Sequence, residues 1–195
     1  TMCRFSEREK IVVASVVLAV LCPAVYADPP LPTHQVEGNS GVFITPVAYL
    51  ANPAGPNEVF GVPSVSGTYA HLEEKDFESV AVTENLWGRV EFGYALERVG
   101  LGDWPDEVRA ATGANVQDEA FLHNFNARLM IIQEGSLGYT WTPAVTLGAH
   151  LKWNQDLGDL DQQLGGTCAL LGADHETGLE FTLVATKMIK IGRAH

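Results

Sequence analysis

The sequence predicts an all-β fold, an antiparallel transmembrane β-barrel, and three observations carry that prediction. Apolar and polar residues alternate through four segments, which are residues 87–98, 121–132, 143–153 and 178–189. These segments run to about 10–12 residues, against the five or six of an ordinary strand. Aromatic residues cluster near their ends, as in the interfacial girdles of outer-membrane barrels; they are Trp87, Phe121, Trp141 and Trp153. Because a soluble sheet also alternates, a soluble periplasmic barrel or sandwich is the alternative.

A fourth observation, an export signal over residues 1–27, supports the same prediction. A basic stretch carries Arg4, Arg8 and Lys10. It is followed by the apolar residues 11–21, which are too few to span a bilayer, and by small residues that predict cleavage after Ala27. The sequence therefore predicts that the mature protein is exported to the envelope.

Cysteine usage agrees with a Gram-negative envelope protein that has no disulfide. Cys22 offers a lipoprotein signal as an alternative, but Leu21 stands where a small residue is expected. After cleavage only Cys168 remains, so no internal disulfide is possible. We interpret Cys168 as a small buried residue.

The last residues predict an artificial end. Residues 191–195 read as the translation of a common sequencing adapter, so we interpret 190–195 as an artefact. On this interpretation residues 28–189 form an incomplete outer-membrane β-barrel domain, a fragment whose closing C-terminal strands are missing.

Turn and helix-capping residues divide the first half of the chain into predicted strands, loops and a helix. Residues 41–50 are apolar and β-rich but contain Pro46, which predicts an edge strand, two half-strands or a segment inside the lumen. Residues 62–72 and 77–84 are predicted strands. Within the long acidic loop at 99–120, residues 103–113 predict a short helix, because Pro105 and acidic residues begin it and Gly113 ends it.

Loop lengths predict an orientation. The long connections at 99–120 and 154–177, the second helical near 160–171, fall on one side of the sheet. Outer-membrane barrels carry their long loops outside and their short turns in the periplasm. A strand at 41–50 would then begin outside, so either this segment does not cross or another strand precedes the predicted set.

The polar face of the strands is the most informative chemistry. It carries Arg89, Glu91, Glu97, Asn124, Asn126, Arg128, His150, Lys152 and Glu180. Arg or Lys facing lipid would cost about 2–4 kcal/mol near the midplane, so we expect these side chains to face the lumen. They either line a water-filled pore or pair across a narrow lumen and close it.

Four segments carry a resemblance, namely residues 36–46, 88–94, 142–152 and 178–187. They resemble an uncharacterised family of Gram-negative envelope proteins, a domain of unknown function placed with outer-membrane β-barrels. The resemblance covers most of residues 36–188. It implies a fold and a location, and it carries no activity and no catalytic residues.

Other chemistry is disfavoured. A net charge of −12 argues against nucleic-acid binding, and no phosphate loop, nucleophile elbow or metalloprotease motif is present. Asp156, Asp159 and Asp161 lack the spacing of an EF-hand and favour a solvated loop over a Ca²⁺ site. Residues 174–176 offer metal-ligating side chains with no second cluster. His123 is interpreted as an interfacial histidine. We predict no catalytic residue, metal or cofactor.

The expected function is that of a porin-like channel or transporter for an unknown small solute. Outer-membrane lipid is the expected partner, and the oligomeric state is open. The alternatives are a closed structural or partner-binding envelope barrel and a soluble periplasmic lipid-binding barrel.

Overall fold

A computed structural model describes residues 34–189. The signal segment predicted at 1–27 and the artefact predicted at 190–195 lie outside the described residues. The architecture is one six-stranded antiparallel sheet, a small two-stranded hairpin and three short helices.

The six-stranded sheet is a meander in which each strand pairs with the next. The hairpin is β1 (Gly41–Val42) with β2 (Thr45–Pro46). The sheet comprises β3 (Ser64–Leu72), β4 (Lys75–Leu86), β5 (Val90–Gly100), β6 (Glu119–Ile132), β7 (Ala144–Asn154) and β8 (Thr177–Thr186). β3 and β8 are the two edges, and they do not pair with each other within the described residues. The predicted antiparallel β architecture is thus present, as an open sheet.

The connections sort to opposite ends of the sheet. One end, the loop end, carries residues 73–74, 101–118 and 155–176, which include α1 (Trp104–Thr112), α2 (Leu157–Gln163) and α3 (Thr167–Leu170). The other, the turn end, carries residues 87–89 and 133–143. The helix predicted at 103–113 is confirmed as α1: Pro105 lies in its first turn, and Gly113 ends it with a left-handed φ of 77°.

Residues 41–50 do not cross beside the other strands. Val42 and Thr45 pair as two half-strands of a hairpin, and Pro46 accordingly sits at a hairpin edge. Of the possibilities that the sequence leaves open for residues 41–50, the structure therefore shows two half-strands, which form a separate two-stranded sheet.

The two faces of the sheet have opposite polarity. The inner face is defined by Ser79, Thr83, Asn85, Glu91, Glu97, Asn124, Asn126, Arg128, Thr146 and His150, all of which are buried. The outer face is defined by Val80, Val82, Phe92, Phe125, Leu129, Leu147, Leu151, Phe181 and Leu183, all of which are exposed. The alternation of apolar and polar side chains predicted from the sequence is present. The polar face is the one that other residues of the chain cover.

Candidate functional site: the inner face and the segment that covers it

The inner face is covered by residues 34–52, which we call the N-terminal segment. It makes side-chain hydrogen bonds with all six strands of the sheet. The contacts are His34 to Ser66 on β3, Ser79 and Thr83 on β4 to the carbonyls of Val36 and Gly38, Ser40 to Glu91 on β5, Asn126 on β6 to the carbonyls of Glu37 and Gly38, Thr146 on β7 to the carbonyl of Ala48, and the Ala48 amide to Thr186 on β8. The N-terminal segment therefore lies across the full width of the inner face.

A buried ion pair at the centre holds this segment. The Arg128 Nη1 lies 2.9 Å from the Glu91 Oε1, and the two side chains are 1% and 0% exposed. Burial of two charges is costly, so such a pair requires further hydrogen bonds to satisfy its remaining atoms. The N-terminal segment supplies them on both sides of the pair.

The Glu91 carboxylate accepts three hydrogen bonds from the segment. Its Oε1 accepts from the Ser40 amide at 3.1 Å, and its Oε2 accepts from the Ser40 hydroxyl at 2.5 Å and from the Ala51 amide at 2.6 Å. Arg128 donates to the carbonyls of Ser40 and Val47. The ion pair thus connects the N-terminal segment, through Ser40, Val47 and Ala51, to β5 and β6.

A glycine contact allows the segment to come this close. Gly38 has a φ of 80°, a conformation that disfavours any side chain. It crosses directly over Gly93 of β5, where a Cβ would lie 1.7 Å from the Gly38 carbonyl oxygen. The backbones of the segment and of the sheet therefore touch without a side chain between them.

A second polar cluster lies nearer the loop end. The Lys152 ammonium lies 2.8 Å from a Glu37 oxygen of the segment and 3.1 Å from a Glu180 oxygen of β8. Beside it, the Asn124 amide donates to the Glu97 carboxylate at 2.9 Å. The N-terminal segment therefore also forms an ion pair with the sheet near the loop end, between Glu37 and Lys152.

The predicted lumen residues fall into three groups. Six are buried on the inner face: Glu91, Glu97, Asn124, Asn126, Arg128 and His150. Lys152 is half-buried, and Glu180 shares the face but is exposed on the edge strand β8. Arg89 departs from the expectation, because it lies exposed in the turn at 87–89. Trp87 begins this turn with a φ of 53°, so the strand starts at Val90 instead of residue 87.

The four predicted interface aromatics lie at the two ends of the sheet. Trp87 and Trp141 are exposed at the turn end, whereas Phe121 and Trp153 lie on β6 and β7 near the loop end. Beside Trp153, the His123 ring stacks on the indole at a centroid distance of 4.8 Å. His123 is on the outer face, as the alternation predicts.

Charge is distributed unequally between the two ends. The three connections at the loop end carry eleven acidic residues and one basic residue, Arg109. The two connections at the turn end carry one charge of each sign, on Arg89 and Glu134. A strong negative potential at the loop end follows from this arrangement.

At the turn end, Glu134 ties the N-terminal segment to the end of β8. Its carboxylate lies 2.7 Å from the Lys187 ammonium and accepts the Tyr49 hydroxyl proton. The hydrogen bond from Lys187 and then that from Tyr49 lower the pKa of Glu134 below its ordinary value. Burial and the bond to Glu134 raise the pKa of Tyr49 to about 12.

Metal and helical membrane features are not found in the part of the chain that is described. Residues 34–189 contain no group of three or more His, Cys, Asp or Glu side chains placed to hold a metal ion. The aspartates 156, 159 and 161 lie on and around α2. None of the described helices is long and apolar enough to cross a membrane.

Sequence reasoning missed the partners that the segment supplies. Ser40, Gly38, Val47 and Ala48 bind the inner face largely through backbone groups, which any residue possesses. The available signal was the inner face itself, since buried charges require partners, and one of the interpretations left open for residues 41–50 was a segment inside the lumen.

Comparison with known proteins gives a family and no individual relative. No curated protein and no solved structure matches the chain. The expected membership of an uncharacterised family is confirmed, because residues 32–194 match the family described as Protein of unknown function (DUF3034). The chain belongs to this family.

Proposed function

We propose that the protein is a non-enzymatic outer-membrane β-barrel protein whose polar interior is closed by its own N-terminal segment. The observation that carries the proposal is the reversed polarity of the sheet. The face that carries Glu91 and Arg128 is buried, and apolar side chains are exposed on the opposite face of all six strands, which also carries Glu78, Glu84 and Arg98. A soluble monomer rarely exposes an apolar surface of this extent, whereas lipid would cover it.

The dimensions of the sheet fit a bilayer. β7 has 11 residues, which is about 34 Å of strand. At a tilt of about 40° it rises about 26 Å, close to the roughly 25 Å apolar band of outer-membrane barrels. The exposed aromatics Trp87 and Trp141 at one end and Trp153 at the other bound this band.

Closure of the sheet is part of the proposal. A bilayer tolerates no unpaired strand edge, because the backbone groups there would have no partner. The free edges of β3 and β8 must accordingly be paired in the membrane.

The segment favours a closed barrel over an open porin. It occupies the space in front of Glu91, Asn126 and Arg128, which an open pore would leave to water. The acidic loop end then remains as the exposed polar surface of the protein, suited to a cationic partner.

A second candidate, transport through a gated lumen, is favoured by the polar character of the segment's contacts. They are mostly hydrogen bonds to hydroxyls and carbonyls, for which water can substitute. If the segment leaves, the charged inner face lines a lumen, and the acidic loop end would make it prefer cations.

Fractionation and conductance test the proposal together. The full-length protein should remain with outer membranes after separation of the envelope, and the purified protein should show no conductance in planar bilayers. Recovery in the soluble periplasmic fraction would overturn the membrane location. Steady conductance of the unmodified protein would overturn the closed interior.

Gly93→Val distinguishes a fixed closure from a gate. The added side chain collides with the Gly38 carbonyl and must displace the segment. A gated channel predicts that this variant conducts. The matched control is Gly178→Val on β8, where an added Cβ meets nothing within 4 Å and the interior should stay closed. If neither variant conducts, the gated channel is excluded and the closed barrel remains.

A further inference from the structure

The outer face of β5 to β8 contains an apolar cavity of about 210 Å³. Its floor is formed by the register partners Ala127 and Ala149. Its walls are Phe92, the partner of Ala127, and Phe181, the partner of Ala149. Two methyl groups between two aromatic rings therefore create a groove on an otherwise bulky surface.

The groove lies halfway up the sheet. Ala149 is five residues from either end of β7, about 17 Å along the strand in each direction. Towards the turn end the groove continues between Leu129 and Leu147, which are also register partners. Its depth and its lining match the apolar middle of a bilayer.

A polar cluster lies on the same face between the groove and the loop end. The His123 Nδ1 is 2.9 Å from the Tyr94 hydroxyl oxygen, and its Nε2 is 2.9 Å from the Gln155 Oε1. Since an amide oxygen only accepts, Nε2 carries the proton, and in neutral His123 the Nδ1 accepts from Tyr94. The cluster then offers the Gln155 amide hydrogens and the Tyr94 oxygen outward, beside the Trp153 ring.

Cluster and groove are spaced like the head and chain of a lipid. His123 and Ala127 are four residues apart on β6, about 13 Å along the strand. We propose that this surface binds one membrane phospholipid, with an acyl chain in the groove and an oxygen of its head group accepting from the Gln155 amide. The inference rests on the proposed membrane location.

The surface fits a phospholipid better than another protein chain. The hydrogen-bonding cluster of His123, Tyr94 and Gln155 lies at the loop-end side of the groove, as the head group of an amphipathic molecule requires. The groove is walled by aromatic rings and floored by methyl groups. A protein partner at this depth would have to bury its own backbone in the bilayer, which needs a further paired strand or helix.

Lipid retention tests the site. The full-length protein is extracted in mild detergent from membranes of known phospholipid content, and bound phospholipid is counted by native mass spectrometry and phosphorus assay. We expect a single tightly held phospholipid per chain. Ala149→Phe, which fills the groove, should abolish retention, and His123→Leu, which removes the hydrogen bonds at the head end, should weaken it.

The control is Val80→Phe, an equally large change on the outer face of β4 away from the groove. It should retain the phospholipid. Equal retention by Ala149→Phe and Val80→Phe, or no lipid on the unmodified protein, would overturn the inference. A dimer that Ala149→Phe dissociates would assign the groove to a second copy and would also overturn it.

Failure of this inference is distinguishable from failure of the proposed function. A protein that fractionates with outer membranes but retains no phospholipid defeats only the lipid site. A protein recovered in the soluble periplasmic fraction defeats the membrane location, whatever its lipid content.

Discussion

The two faces of one sheet are built on opposite rules. On the inner face, polar side chains are buried, and their hydrogen bonds to the N-terminal segment satisfy most of them, as at Glu91 and Arg128. On the outer face, apolar side chains such as Val80 and Phe181 are 61% and 72% exposed. In a water-soluble sheet the apolar face would be the covered one. The sheet therefore has a buried polar face and an exposed face that is largely apolar.

The largest effect is expected at the central ion pair. Arg128→Met leaves the Glu91 carboxylate buried without its cation, and breaking such a pair typically costs about 3–5 kcal/mol of unfolding free energy. The measurement is urea unfolding of the refolded protein in lipid vesicles. The double variant Glu91→Gln/Arg128→Met should recover much of this loss, because no unpaired charge then remains.

An exposed ion pair provides the control for this prediction. Arg109 pairs with Asp106 at 2.7 Å on α1, where both side chains are largely in solvent. Arg109→Met should change the unfolding free energy by about 0–1 kcal/mol. A loss from Arg128→Met no larger than this would show that the N-terminal segment does not depend on the pair.

The outer face should respond strongly to a charge only if lipid covers it. Val80 lies in the middle of β4. Val80→Lys should cost about 2–4 kcal/mol in a bilayer, whereas a surface substitution in water usually stays within about 0.5 kcal/mol. Unfolding from lipid vesicles measures the difference.

Leu137→Lys is the matched control for Val80→Lys. Leu137 is 74% exposed in the turn at 133–143, outside the proposed apolar band. Its substitution should be nearly neutral. Equal and small costs at both positions would mean that water reaches the outer face, and the comparison of the two faces would have to be abandoned.

The strands and the two faces followed from local pattern. Alternation placed Glu91, Asn126 and Arg128 on one face and Phe125 on the other, because the side-chain period of a strand is two. The turn at residues 87–89 was predicted as the start of a strand, because the alternation continues through it. Gly88, with a φ of 63°, was the available sign of that turn.

The covering segment could not be predicted in the same way. Pairing of Glu91 with Arg128 depends on the register of β5 against β6, which alternation does not specify. The approach of Gly38 to Gly93 joins positions far apart in the chain. Contacts to backbone carbonyls leave no residue signature, so the sequence left an edge strand, two half-strands and a segment inside the lumen open for residues 41–50 and did not identify which residues cover the sheet.

The smallest effect is expected at the rim, where the segment meets the turn end through Glu134. A lowered pKa means that the Glu134 contribution to stability is present above its ordinary value of 4.5 and is lost as the pH falls through the lowered pKa. Because the side chain is partly exposed, Glu134→Gln should cost less than about 1 kcal/mol at pH 7, and this cost should shrink as the pH falls through the lowered pKa. The urea midpoints of both proteins, measured at pH 7 and at a series of lower pH values, test this.

Two features make the rim measurement specific. Tyr49, with a pKa raised to about 12, keeps its proton throughout this range, so the change belongs to the carboxylate. Glu58→Gln, at an exposed carboxylate that accepts a hydrogen bond from the Gly55 amide, is the matched control and should leave the urea midpoint at pH 7 nearly unchanged. If Glu134→Gln instead matched the loss from Arg128→Met, the segment would be held at its rim, and the buried pair would serve the sheet alone.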